Sequence, residues 1–348
     1  MGLGSCIRFA ALALAAGCIS ATAAAQTVRI TPLGSHAGEL CSRDRATLFE
    51  DPTGVRILYD AGHSLTGGDD ARLGAVHVVL LSHAHGDHIG DQKLKALGAG
   101  SCDAPELVSA APNSVTAEVA AAKNAAVVTT VPMAAFVGRK IENLKGRPTG
   151  NCPQSGEDLV APFVAPCLAA GQIGGMRPVR MGNASRAVEI TIVAAAHDST
   201  VPRSLLTDPE RKDLEADNAS LVLGPSTGYV IRFTNGLTVY LSGDTGLHAD
   251  MKAIVADYHK ANLMLLNLGP SAVTSAAGAY AVGELVKPAS VIATHVNEGA
   301  TTDGKVRPAS RTAAFAGMVK GRPVYLALSG RTMEFDGDGR CTSGCAQP

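Results

Sequence analysis

A short loop after one apolar segment constrains this chain more than any other feature. The segment AVHVVLLS is a continuous apolar run, typical of a buried β-strand. It leads into HAHGDH, where four of six consecutive positions carry metal-ligand side chains: His83, His85, Asp87 and His88. Neutral imidazole and carboxylate are the usual protein ligands of divalent metal ions. The spacing therefore predicts a metal site at the end of this strand.

Three more residues of the same types stand where other predicted strands end. His197 follows VEITIVAAA, Asp244 ends a predicted hairpin with an Asn-Gly turn (GYVIRFTNGLTVYLSGD), and His295 follows ASVIAT. Side chains at strand ends on one edge of a sheet converge, and sites are commonly built there. One catalytic metal ion needs three or four protein ligands, and two ions need about twice that number. The candidate ligands are His83, His85, Asp87, His88, His197, Asp244 and His295.

The rest of the chain reads as short strands alternating with helices. TVRITPL predicts a strand, and ATLFED with VRILYD predicts a hairpin. DQKLKAL predicts a helix directly after the metal loop, and SVTAEVAAAKNA predicts a second helix capped by Ser114. Helices are also expected at SAAGAYAVGELV and ASRTAAFAGMV. From about residue 138 to 186 Gly and Pro dominate, which predicts an insertion that is either a lid or a surface elaboration.

The first 25 residues have the layout of a secretory signal. Arg8 precedes the apolar run FAALALAAG, and small residues continue to Ala25, which predicts cleavage before Gln26. A membrane anchor is the alternative, but the apolar run is too short to span a bilayer comfortably. LAAGC, ending at Cys18, is an incomplete lipoprotein motif, so a lipid anchor there stays open. We expect a periplasmic or secreted protein in which residues 26–348 form a single domain.

The cysteine content agrees with export, and the charge balance points to neither a nucleic-acid nor an anionic-membrane partner. After removal of the signal, 29 basic residues face 31 acidic ones, which gives no support to binding of nucleic acid or an anionic membrane. Six cysteines remain, an even number that predicts disulfides in an oxidising compartment, although six allow 15 pairings. Nearness in sequence favours Cys152–Cys167 and Cys341–Cys345, which leaves Cys41–Cys102. A cysteine-based metal site is the rival, but no C-x-x-C pair is present.

The histidine-rich loop belongs to a wider resemblance. SHAHGDHIGD resembles the signature of the metallo-β-lactamase-fold hydrolases, and AAAHDS, LSGDTG and IATHVNE match later motifs in that family's order. The stretch around Asp244 is most similar to metal-dependent hydrolases close to the ascorbate-6-phosphate lactonases. The resemblance spans about residues 28–335, with a weak zone at the insertion. It implies an α+β fold, a four-layer αββα sandwich with the site at one edge.

The resemblance also implies how the ligands divide. One metal ion would be held by His83, His85 and His197, and a second by Asp87, His88 and His295, with Asp244 bridging the two. Zn²⁺ is the expected ion, and Mn²⁺ or iron would accept the same ligands. Asp60 of ILYDAG matches a family carboxylate that orients a ligand; its alternative is a turn residue before Gly62.

Together these features predict an exported metal-dependent hydrolase of a carboxylic ester, lactone or similar bond. A hydroxide bridging the metals would attack, and Asp87 or Asp244 would orient it and pass a proton to the leaving group. No G-x-S-x-G occurs, so water is the expected nucleophile.

Four alternatives use the same fold. A phosphodiesterase would favour basic residues in the pocket, for which the insertion offers Arg177, Arg180 and Arg186. A β-lactamase is disfavoured, because one class of those enzymes has a Cys ligand where this chain has Asp244. The other two are a mononuclear iron enzyme acting on sulfur compounds and a non-catalytic metal-binding protein.

Overall fold

The computed structural model describes residues 1–2, 26–269 and 273–348. Most of the predicted signal at 1–25, including Cys18, therefore lies outside the described residues. In chain order the strands are β1 (Val28–Pro32), β2 (Thr47–Glu50), β3 (Arg56–Tyr59), β4 (Val78–Leu80), β5 (Gln92–Leu94), β6 (Leu107–Ser109), β7 (Ala126–Val128), β8 (Gln154–Ser155), β9 (Asp158–Ala161), β10 (Cys167–Leu168), β11 (Met176–Met181), β12 (Val188–Ala194), β13 (Thr227–Arg232), β14 (Thr238–Leu241), β15 (Leu263–Asn267), β16 (Ser290–Thr294), β17 (Thr301–Thr302), β18 (Lys305–Val306), β19 (Val324–Leu326), β20 (Met333–Phe335) and β21 (Cys341–Ser343).

Two sheets contain most of these strands. The first has the order β10-β7-β4-β3-β2-β1-β20-β21, and the second has the order β19-β16-β15-β14-β13-β12-β11-β9-β8. Buried side chains from both sheets pack between them in one apolar core. Tyr229 of the second sheet crosses this core, and its hydroxyl donates to the carbonyls of Leu81 (2.7 Å) and Val128 (3.1 Å) beside the first sheet. A buried phenol thus finds polar partners while its ring fills the interior.

Helices cover the outer faces of the two sheets. The α-helices are α1 (Gly86–Ile89), α2 (Val115–Lys123), α3 (Val131–Lys145), α4 (Asp208–Ala216), α5 (Ser275–Tyr280) and α6 (Arg311–Met318), with a 3₁₀ turn at Arg203–Leu205 and π-helices at Met251–Tyr258 and Ala281–Val286. Helices α2 and α3 bury apolar faces on the first sheet, and α6 and the π-helices pack on the second. This arrangement confirms the predicted αββα sandwich. Among the described residues, none of the helices combines the length and the apolar character needed to cross a bilayer.

Strand direction brings the candidate ligands together. In the second sheet β12 and β14 are both antiparallel to β13, and β14, β15 and β16 are mutually parallel. The carboxyl ends of β12, β14 and β16 therefore lie at one edge. In the first sheet β3 and β4 are parallel, so their carboxyl ends also share an edge. Because all these strands are followed by polar loops, the polar side chains gather at one rim of the sandwich.

Most predicted elements are present, and one is wrong. The hairpins β2–β3 and β13–β14 form as expected, and the hydroxyl of Ser114 caps α2 by accepting from the amide of Ala117. The segment DQKLKAL is not helical: Gln92–Leu94 is strand β5, paired antiparallel with β6. Leu94 and its register partner Leu107 are 13 positions apart in the sequence. The strand pairing that overrides the helix preference of DQKLKAL therefore cannot be seen in that segment alone.

The predicted insertion contributes strands to both sheets. Between residues 138 and 186, β10 extends the first sheet at β7, while β8, β9 and β11 form an edge of the second. All three disulfide pairs predicted from the sequence are at bonding distance: Cys41–Cys102, Cys152–Cys167 and Cys341–Cys345. The second of these ties the two ends of the Gly- and Pro-rich part of the insertion.

Candidate metal centre

The histidine-rich loop folds so that its imidazoles point to one place. His83 leaves the end of β4, and the chain turns at once into the short helix α1, which carries Asp87 and His88. One ring nitrogen from each of three residues lies within 4.8 Å of the other two: His83, His85 and His197. His83 is fully buried, and its Nε2 finds no hydrogen-bond partner among the described residues. These three imidazoles form what we call the first cluster.

A second cluster lies beside the first. Ligand atoms of Asp87, His88 and His295 also lie within 4.8 Å of one another. Nε2 of His88 and Nε2 of His295 are 3.0 Å apart, which is hydrogen-bonding distance. One of these nitrogens therefore carries a hydrogen and the other accepts it with a lone pair. The backbone of His295 has a positive φ of 50°, a conformation that non-glycine residues seldom adopt and that often marks functional positions.

Asp244 lies between the two clusters and faces both. Its Oδ1 is 3.3 Å from Nε2 of His295 and 3.5 Å from Nε2 of His88, both in the second cluster. Its Oδ2 is 3.8 Å from Nε2 of His197, in the first cluster. The structure thus brings together all seven predicted ligand residues, with one carboxylate oriented to be shared.

The protonation states suit metal binding. Burial lowers the pKa of His83, His197 and His295, so their nitrogen lone pairs stay available at neutral pH. Burial alone would raise the pKa of Asp87 and Asp244. Interaction with Arg45 and His88 outweighs it for Asp87, and interaction with the His295 and His88 imidazoles outweighs it for Asp244, so both pKa values lie well below the usual range.

His88 behaves differently from the other imidazoles. Burial lowers its pKa, but the carboxylates of Asp244, Asp60 and Asp87 outweigh that effect and raise the pKa to about 10. Metal binding at this nitrogen must therefore displace a proton. With that proton gone, the set of imidazoles and carboxylates fits a divalent metal ion.

Asp60, for which the resemblance implies a role in orienting a ligand, contacts His88. Asp60 follows β3 and is 1% exposed. Its Oδ2 is 2.8 Å from Nδ1 of His88. The backbone amide and the hydroxyl of Ser82 also donate to this carboxylate, at 2.8 and 2.7 Å. The Asp60 carboxylate at Nδ1 keeps one ring hydrogen there, so the proton that metal binding displaces from His88 is the one on Nε2, which faces the second cluster.

Two further residues at the site were missed by the sequence analysis. Oδ1 of Asp198 is 2.8 Å from Nε2 of His85, so the other ring nitrogen of His85, Nδ1, is left to face the first cluster. A carboxylate directly after a candidate ligand histidine was the available signal. Arg45 donates from Nε and Nη2 to Oδ2 of Asp87, at 3.1 and 2.8 Å, and its side chain is only 1% exposed. No local pattern in SRDRA marked this arginine as buried.

A polar cavity of about 620 Å³ opens beside the second cluster. Asp87 reaches it with a side chain that is 26% exposed, whereas the side chain of Asp244 is 5% exposed. His63 also lines the cavity, 2.8 Å from Asp91, so this loop histidine belongs to the wall of the site. The lining residues are Ser42, Arg43, His63, Gly86, Asp87, Asp91, Gln92, Asp103, Pro202 and Asn297.

Comparison with known protein sequences gives a family match and full-length relatives. The model of the family described as "Beta-lactamase superfamily domain" matches residues 40–295. A protein of Polynucleobacter asymbioticus named UPF0173 metal-dependent hydrolase is 26% identical over 302 residues, covering 82% of each chain. A protein of the same name from Cupriavidus necator is 25% identical over 335 residues, covering 93% of this chain and 96% of its own.

Solved structures show the same fold at lower sequence identity. The metallo hydrolase Igni18 from the archaeon Ignicoccus hospitalis superposes with a TM-score of 0.52 at 20% identity, covering 89% of this chain and 99% of its own. An isothiocyanate hydrolase from Delia radicum gut bacteria superposes with a TM-score of 0.50 at 14% identity and the same coverage. At these identities the likeness concerns the fold.

Proposed function

This chain belongs to the family described as the β-lactamase superfamily domain and is a metal-dependent hydrolase; from that premise we propose that it cleaves a carboxylic ester, a lactone or a similar bond. The observation that carries the proposal is the position of Asp244, whose two oxygens face two separate ligand clusters beside an open polar cavity. A carboxylate shared in this way is typical of centres that hold two divalent ions.

We assign the first metal position to His83, His85 and His197 and the second to Asp87, His88 and His295, with Asp244 common to both. Zn²⁺ is the proposed ion, since this borderline cation accepts both imidazole and carboxylate ligands. When bound, such ions activate water as a nucleophile at neutral pH and polarise the bond under attack.

The protein's own groups would orient that chemistry. Asp87 reaches the cavity, and Arg45 keeps it ionised, so it can accept a hydrogen bond from the attacking water. Asp60 and Asp198 would hold His88 and His85 in the orientations that leave one ring nitrogen free. Asp244 is more deeply buried than Asp87 and would act as the shared ligand.

The described part of the cavity lacks the surplus of basic side chains that a phosphodiester anion would favour. Asp87, Asp91 and Asp103 line it together with Arg43. Arg45 and Arg307 are already paired with Asp87 and Asp103. The arginines of the insertion do not line this cavity: Arg177 donates to backbone carbonyls and Arg180 pairs with Asp158.

The test is a rate comparison on the metal-loaded protein with a lactone, an aryl ester, an aryl phosphodiester and a β-lactam. We expect lactone or ester turnover that Asp244→Asn reduces by more than about a hundredfold, since it removes a shared ligand. The matched control is Asp51→Asn, the same change at a buried carboxylate that, within the described residues, accepts side-chain hydrogen bonds only from Thr53 and Thr234. Turnover confined to the phosphodiester would replace the ester proposal, and activity unaffected by Asp244→Asn would remove the proposed centre.

We also propose that the mature protein is periplasmic or secreted and begins at Gln26. The pairing of all six cysteines beyond residue 25 supports an oxidising compartment. Cell fractionation with mass determination of the N-terminus tests this. A mass matching a lipidated Cys18 would establish an anchor instead, and an intact Met1 in the cytoplasm would overturn export.

A further inference from the structure

Arg45 places a fixed positive charge against one of the proposed ligands of the second metal position. Its side chain is 1% exposed, so solvent does little to screen the charge. The guanidinium cannot easily turn away. Its Nη1 donates to the carbonyl oxygens of Ser42 (3.2 Å) and Asp44 (2.9 Å), and its Nη2 donates to Oδ1 of Asn297.

The contact with Asp87 falls on the oxygen that faces the histidines. Oδ2 of Asp87 is 3.3 Å from Nε2 of His295 and 3.9 Å from Nε2 of His88. The same Oδ2 accepts from Nε and Nη2 of Arg45. A metal ion bound among Asp87, His88 and His295 would share this oxygen with a cation and would lie near that cation's charge.

The first cluster has no such neighbour among the residues that the structure describes. The charged group behind it is the carboxylate of Asp198, hydrogen-bonded to His85, which strengthens the imidazole as a donor. In the described residues, no Lys or Arg forms an ion pair with Asp198. Each position thus has a carboxylate behind one imidazole, Asp198 behind His85 and Asp60 behind His88. Among the described residues, the second position differs by the buried guanidinium of Arg45 on its Asp87.

We propose that Arg45 makes the two metal positions unequal, so that the first fills at low free metal and the second only at much higher concentration. The inference rests on the two metal positions of the proposed function. At low free metal concentration the protein would hold one ion, and Asp87 would stay hydrogen-bonded to Arg45. The second ion would bind only by competing with the guanidinium for Oδ2 of Asp87.

The test is a zinc titration of the metal-free protein against a chromophoric chelator, which needs no substrate. In the natural protein we expect two binding steps, the second at least about tenfold weaker than the first. Arg45→Met removes the charge and should tighten the second step at least tenfold while changing the first less than threefold. Arg45→Lys keeps the charge and should leave the second step weak.

Control variants separate the alternatives. Asp198→Asn should weaken the first step by about 10- to 100-fold and spare the second. Arg45→Gln, which removes the charge but keeps polar contacts, serves if Arg45→Met does not fold. Equal affinities in the natural protein, or a second step that is unchanged or weaker without the charge, would overturn the inference and leave Arg45 as a positioning residue for Asp87.

The same titration distinguishes this inference from the proposed function. No metal uptake at all would remove both. Two-step uptake that responds to Arg45→Met, with no turnover on any ester or lactone, would leave this inference standing and refute the substrate class.

Discussion

Asp60→Asn tests whether a carboxylate behind His88 sets metal affinity. The amide introduced by this substitution would keep the shape of the carboxylate but could accept through one oxygen only, whereas Asp60 accepts from the Ser82 amide, the Ser82 hydroxyl and His88. If the new amide oxygen keeps the Ser82 backbone bond, the NH₂ group faces Nδ1 of His88. That nitrogen must then accept, and the ring hydrogen moves to Nε2, where it blocks the metal.

The opposite orientation of the amide is also costly. Its NH₂ group would face the buried backbone amide of Ser82, and an unpaired buried donor costs about 1–3 kcal/mol. We therefore expect Asp60→Asn to weaken metal binding by about 10- to 100-fold, which is about 1.4 to 2.8 kcal/mol.

The assay is chelator-competition titration of the metal-free variant beside Asp51→Asn. Asp51 is 2% exposed and accepts from Thr53 and Thr234, so its variant has a similar buried defect without contact to a histidine. We expect Asp51→Asn to lower the free energy of unfolding while metal affinity stays within twofold. A metal affinity of Asp60→Asn within twofold of the natural protein would refute the reasoning.

Three further outcomes follow from the structure. Burial raises the pKa of Asp70, but hydrogen bonds from a neighbouring guanidinium and from backbone amides lower it below 3.8. The ionised Asp70 therefore stabilises the fold above pH 3.8, and this contribution is lost as pH falls through the lower folded-state pKa. In urea unfolding, the Asp70→Asn variant should have a lower free energy of unfolding than the natural protein at pH 7, and the two free energies should converge in acid. Replacing Cys41 and Cys102 by Ser opens a link across 61 residues and should lower the free energy of unfolding by about 4 kcal/mol; a loss below about 1 kcal/mol would contradict the loop-entropy argument. Gly62 has a φ of 51°, and an added Cβ would lie 2.4 Å from the carbonyl oxygen of Asp87. Gly62→Ala should therefore lower the free energy of thermal unfolding by about 1–3 kcal/mol and weaken metal binding. Unchanged stability and metal affinity would show that the loop adjusts without cost.

The convergence of the ligand residues was predictable because it depends on patterns that are local in sequence. His83, His197, Asp244 and His295 each follow an apolar strand, and the parallel relation of those strands puts their carboxyl ends at one edge. The expectation for Asp60 came from the resemblance of ILYDAG to the family motif, and the structure places that residue after β3, next to β4.

What the sequence could not supply depends on contacts between distant segments. Gln92–Leu94 has side chains compatible with a helix, and only its partner strand makes it extended. Arg45 looks like part of a surface charge group in SRDRA, because its burial requires Asp87 and Asn297 to be brought against it. The orientation of the Asp244 oxygens toward two clusters likewise appears only in three dimensions.

Each of the two sheets supplies part of the proposed metal centre, so a bound ion would hold the two sheets together. His83, His85, Asp87 and His88 come from the first sheet, while His197, Asp244 and His295 come from the second. An ion held by both halves binds the folded chain and not the separated sheets, so free metal concentration becomes a variable of folding. By mass action, a concentration about a thousand times the dissociation constant adds about 4 kcal/mol to the free energy of unfolding. A chelator would therefore lower the free energy of unfolding of this protein as well as inhibit its activity.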